Sequence, residues 1–147
     1  MAFQFKLEAV RRYRQFEEDR CQREFADAQR QVEQAKAILA AMIARRTQTE
    51  EDFRQGQADG ESAAQAAMYR GFLERLGDEI ETQQNHLASA EKACEEKRQA
   101  LLEAMKKRKT IDRLKEKGEQ AFMAELNSEE QKFINEIAIN RHILKNR

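Results

Sequence analysis

The chain has no proline and no tryptophan, only five glycines and two cysteines, and no apolar run longer than the eight residues from Ala37 to Ala44. Without proline nothing forces a helix to kink or stop. With so little glycine, and no stretch of β-branched residues alternating with polar ones, no segment reads as a strand or a β-hairpin. The longest apolar run is far too short to cross a bilayer. The opening residues, MAFQFKLEAVRRYRQ, lack the apolar centre of a secretory leader. Two cysteines without metal-type spacing favour a reducing compartment over a disulfide framework, so the expectation is a cytosolic protein that is not inserted in a membrane. Charge is balanced at 27 basic and 27 acidic residues, so no net field draws the chain to nucleic acid or anionic lipid.

Signatures of catalysis are missing as well. There is no glycine-rich phosphate loop, no GxSxG elbow, and no HExxH or CxxC pair. His86 and His142 stand apart, and the acids nearest His86, Glu79 and Glu81, lie seven and five positions away, which is not a ligand spacing on a helix. Paired acids such as Glu17 with Glu18 and Glu129 with Glu130 point about 100° apart on a helix, and an open coiled coil has no dry cleft to shift a carboxyl pKa. Neither an enzyme nor a cofactor is expected.

What the sequence has is helix. More than half of its residues are Ala, Glu, Lys, Leu or Arg, the composition of long helices and coiled coils. Apolar residues alternate at three- and four-residue steps on both sides of a break at Gly56 to Gly60. One stripe is Cys21, Phe25, Ala28, Val32, Ala35, Leu39, Met42, polar Arg46 and Thr49, then Phe53. The other is Tyr69, Leu73, Leu76, Ile80, Gln83, Leu87, Ala90 and Cys94. Such a step is a heptad seam, kept facing one partner at ~3.5 residues per turn. The fold class is therefore all-α, a single domain built as a long two-helix antiparallel coiled-coil hairpin.

The periodicity predicts a first helix over about residues 5–54, a turn over about 55–61 and a second helix over about 62–140. At ~1.5 Å per residue these are roughly 75 Å and 115–120 Å long, so the second must overhang. Ser62 with Gln65 has the form of a capping box opening the second helix. Ser128 with Gln131 repeats it, either as surface residues of a continuous helix or as a restart. Folding about the break favours a register with Leu39 opposite Leu76, Met42 opposite Leu73 and Cys21 opposite Cys94. The rival register, one heptad away, pairs Phe53 with Tyr69.

Surface features follow from this frame. Lys106, Lys107, Arg108 and Lys109, followed by Arg113, Lys115 and Lys117, make the densest basic stretch. A zipper-type DNA binder places its basic arm before an uninterrupted Leu-rich dimer seam. Here the stretch follows the paired region, so a solvated or protein-facing surface is the better reading. If the hairpin closes, it meets Arg11, Arg12 and Arg14. Phe72 falls at the edge of the seam beside Tyr69 and Leu76. In the favoured register residues from about Arg113 onward lack an intramolecular partner, leaving Phe122, Leu126, Phe133, Ile134, Ile137 and Leu144 uncovered, the mark of a partner site.

Three segments carry a resemblance: FKLEAVRRYRQFEEDRCQREFADA at the start, MYRGFLERLGDEIE after the turn, and RLKEKGEQAFMAELNSEEQKFINEIAINR near the end. Together they are similar to the FliJ family of the bacterial flagellar type III export apparatus, over nearly the whole chain. EQKFINEIA is the most specific part, with Asn135 where an acid is usual. The resemblance implies an antiparallel coiled coil like the rotor stalk of rotary ATP synthases, without catalysis. It implies a cytoplasmic protein, at the inner face of the inner membrane, that serves flagellum biogenesis, motility and chemotaxis.

Its implied partners are the hexameric export ATPase, whose assembly it promotes, the large membrane subunit of the export gate, and the export chaperones. The gate contact maps onto Tyr69, Phe72 and Leu76, with Glu79 and Gln83 on the same face. The ring contact is expected from the uncovered end of the second helix itself, through Arg113, Lys115, Lys117, Phe122, Leu126, Lys132, Phe133 and Ile137. Alternatives are a self-associating structural coiled-coil adaptor, the equivalent stalk of a virulence type III system, and a zipper-like nucleic-acid binder.

Overall fold

A computed structural model describes residues 2–146. Two helices make up the fold, α1 over Glu8–Ala58 and α2 over Ala63–Lys145, the second much the longer. They pack against each other as an antiparallel hairpin. α1 starts and ends a few residues later than the periodicity predicts, and α2 runs on through Ser128 and Gln131 to Lys145 without a restart.

The break is narrower than five residues because Gly56 stays helical. Among the described residues only Gly60 takes a positive φ, 81°, a conformation that favours glycine. Around it the Glu61 amide donates to the Gly56 carbonyl at 2.9 Å and the Gly60 amide to Gln57 at 3.2 Å. These are the two bonds of a Schellman cap, which satisfy the last carbonyls of α1. The predicted capping box then opens α2. The Ser62 amide donates to Gln65 Oε1 at 3.3 Å, and the Gln65 amide to Ser62 Oγ at 3.2 Å.

Contacts divide the chain into two compact units, one spanning Arg20–Leu102 and the other joining the residues up to Asp19 with those from Glu103. In the first, Cys21, Ala28, Val32, Ala35, Leu76 and Ile80 are buried in a seam. Their small side chains on α1 let the helices approach closely. Burying a side chain such as Leu76 contributes roughly 1.5–3 kcal/mol.

The register corrects the expectation. Phe53 meets Tyr69 edge-on, with ring centroids 5.6 Å apart, and Lys97 Nζ reaches Glu24 at 3.2 Å. This is the pairing one heptad from the favoured one. A pairing of Leu39 with Leu76 centres on residues 57 and 58, which lie inside α1, whereas Phe53 with Tyr69 centres on residue 61, inside the turn. Cys21 and Cys94, both free, are then about a heptad apart along the axis, roughly 10 Å, beyond disulfide reach. Oxidation of the native chain should therefore leave both thiols unlinked within one molecule. Ala28→Cys should crosslink to Cys94, measured by a mobility shift on a non-reducing gel; a Cys21 to Cys94 bond would contradict the register.

In the second unit Ala104 and Ile111 are buried. Gly118 lets the Phe3 ring lie on α2, since a Cβ there would sit 3.0 Å from its Cζ. Phe3 also packs on Phe122, with centroids 5.7 Å apart. The expectation that α2 is partnerless from about Arg113 is thus corrected: Lys115, Gly118 and Phe122 all face the residues before and within the start of α1. Beyond half-buried Leu126, every described residue from 127 to 146 is exposed.

Candidate functional site

Three surfaces stand out, each contained in one unit. The first is a groove of about 480 Å³ beside the turn, lined by Arg45, Thr49 and Asp52 of α1, Gln65, Met68, Tyr69 and Phe72 of α2, and Glu61 between them. Heptad spacing positions its walls, because residues one step off the seam on each helix flank the same crevice. Tyr69 is half-buried against Phe53. Phe72 is half-buried with the Arg45 guanidinium 4.9 Å over its ring, a cation–π contact. Met68 is 74% exposed at the rim. Two aromatic side chains and an exposed Met among polar and charged neighbours suit a protein segment as ligand.

Leu76 is only 3% exposed. It occupies a buried seam position, is not among the residues that line the groove, and offers almost no contact area. Gln83 likewise turns inward, its amide donating to the Ala35 carbonyl at 3.2 Å, while Glu79 is exposed.

The second surface is a charge chain across the seam of the unit holding the chain ends. Glu18 is 6% exposed, the one buried acid among the described residues. Arg108 Nε donates to it. Arg108 Nη1 bonds Asp112 at 2.8 Å, Arg11 Nε bonds the other Asp112 oxygen at 3.1 Å, and Arg11 Nη1 reaches Glu8 at 3.1 Å. Lys115 closes the chain on Glu8 at 3.6 Å. The Glu18 carboxylate, then Asp112, hold the Arg108 pKa above its usual value. The basic stretch is therefore not uniformly solvated, since Arg108 and Lys115 are committed to intramolecular pairs whereas Arg113 and Lys117 are exposed. Glu18 sits three positions before Cys21, where the seam continues backward, and its polarity hides it from the apolar pattern.

The third surface is the exposed end of α2. Phe133 is 63% exposed, Ile134 56%, Ile137 37% and Leu144 71%, and Lys132 is exposed beside them. Phe122 and Leu126, predicted with them, are half-buried instead. Among the described residues no cluster of His, Cys, Asp or Glu could hold a metal ion, and no helix is long and apolar enough to cross a membrane.

Against known proteins, the model of one family, described as Flagellar FliJ protein, matches residues 3–147. No curated protein and no solved structure matches the chain.

Proposed function

The chain belongs to the FliJ family, non-catalytic components of the flagellar export apparatus, and from that premise we propose that it is the cytoplasmic stalk joining the export ATPase ring to the large membrane subunit of the export gate. The observation that carries the reading is the end of α2. There, twenty consecutive exposed helical and near-helical residues continue the apolar stripe of the seam with no helix to cover it. A single helix bearing Phe133, Ile134 and Ile137 can enter a ring and bury that stripe against the inner wall. Exposed Arg113, Lys117 and Lys132 add charge complementarity and on-rate. Lys115, Phe122 and Leu126 act from below, by fixing where the free helix begins. Purified chain added to the purified export ATPase should raise its hydrolysis rate; no stimulation at any ratio would remove the ring from this reading.

For the gate the proposed surface is the groove beside the turn. Tyr69 and Phe72 make the contact and Leu76 holds them in place. Phe72→Ala should abolish binding to the gate subunit's cytoplasmic domain and impair export. It should leave ATPase stimulation and thermal stability nearly unchanged, because Phe72 is half-buried at the seam's edge. A much lower melting temperature for Phe72→Ala would assign the ring to the core. Export chaperones complete the proposed partners. The family match favours the flagellar over the virulence system.

A further inference from the structure

We propose that residues 2–7 form a displaceable strap that regulates the ring contact of α2 by covering its first part. The inference rests on the stalk reading and adds to it a step that precedes full engagement. The strap is not helical, and α1 begins only at Glu8. Its half-buried side chains are the rings of Phe3 and Phe5, whereas Ala2, Gln4, Lys6 and Leu7 are exposed. Phe3 crosses to α2 and lies over Gly118, with its ring centroid 5.7 Å from that of Phe122. Beside this contact the packing is loose. An open crevice of about 440 Å³ is bounded by Phe3, Gln4 and Phe5 of the strap, by Glu8, and by Lys115 and Glu119 of α2. A segment held by so few buried apolar groups opens locally without the hairpin melting.

What the strap covers decides what its release does. Gly118, Phe122, Leu126, Phe133 and Ile137 follow one another at four, four, seven and four residues, so one face of α2 carries them all. With the strap docked, the fully exposed part of α2 begins after Leu126. With it released, Gly118 and Phe122 join that part and lengthen the face by about two turns. Gly118 explains why an aromatic ring is the occupant. Glycine within a helix is less favourable than alanine, and here the missing Cβ leaves a notch, since a Cβ would sit 3.0 Å from Phe3 Cζ. A ring-wall side chain that enters the notch and Phe3 exclude each other. Because the strap is part of the same chain it competes at high local concentration, and the partner's apparent affinity falls by the fraction of time that the strap is open.

The test follows stimulation of the purified export ATPase against the concentration of full-length chain. Phe3→Ala should reach half-maximal stimulation at an at least ~threefold lower concentration than the unaltered chain, and Gln4→Ala, at an exposed strap position, should leave the curve where it is. Because the chain has no tryptophan, Phe3→Trp carrying 5-fluorotryptophan gives one fluorine resonance, which should leave its docked position when excess ATPase is added. If the unaltered chain stimulates but Phe3→Ala needs as much or more, or melts at a much lower temperature, the strap is a fixed part of the unit and the inference falls while the stalk reading stands. A fluorine resonance that does not move on binding has the same meaning. If no variant stimulates, the ring contact and the strap's role fall together. Stimulation by Phe3→Ala alone would support the strap as a complete block.

Discussion

Glu18→Ala should loosen the unit that holds the chain ends, at a cost of about 2–3 kcal/mol. Breaking a buried ion pair by removing one partner typically costs ~3–5 kcal/mol, because the survivor is left desolvated and uncompensated. The lower figure applies because Arg108 keeps Asp112 at 2.8 Å and its side chain is 24% exposed. The loss reads out as a lower denaturant midpoint, and as faster amide exchange in residues 8–18 and 103–115 than in the unit around the turn. Reversing both charges, Glu18→Arg with Arg108→Glu, should recover part of the loss. Replacing both by Leu should be neutral or stabilising by ~1–4 kcal/mol, since an apolar pair needs no desolvation of charge. A neutral Glu18→Ala would show that the chain from Glu18 to Lys115 is decoration on a seam held by Ala104 and Ile111 alone.

Glu18 is polar, so the apolar periodicity does not mark it as a seam residue. The hairpin, its seam and the Ser62–Gln65 cap are written in local periodicity and short-range side-chain chemistry, so they were legible. The register was not. A heptad seam fits nearly as well after a seven-residue slip, and the tie is broken by the turn, which depends on whether Gly56 or Gly60 leaves the helix. Glycine inside a helix costs only about 1 kcal/mol, too little to predict that Gly56 ends α1. A turn placed too early shifts the register by one heptad and starts the overhang near Arg113 instead of after Leu126, which leaves Lys115 and Phe122 without their true partners. The α1 wall of the groove, Arg45, Thr49 and Asp52, was illegible for the same reason, because it becomes a wall only once the helices are aligned.

Truncation after Leu126 should abolish stimulation of the export ATPase, returning hydrolysis to the unstimulated rate, while gate binding through Phe72 persists. The described residues that the cut removes, 127–146, are all exposed. Helicity should therefore fall in proportion to the residues lost, and the melting of the hairpin should stay in place. The cut site matters. Ending the chain after Lys117 would also remove Gly118 and Phe122, the surface on which Phe3 lies, so lost stimulation there would be confounded by a loosened unit. A milder version keeps the full length. Phe133→Ala with Ile137→Ala should cut stimulation at least tenfold if these side chains fill pockets of the inner wall, because buried aromatic anchors at an interface commonly carry ~2 kcal/mol or more each. Full stimulation by the chain ending at Leu126 would move the ATPase contact to the paired part of the hairpin, where exposed Arg113 and Lys117 become the next residues to replace.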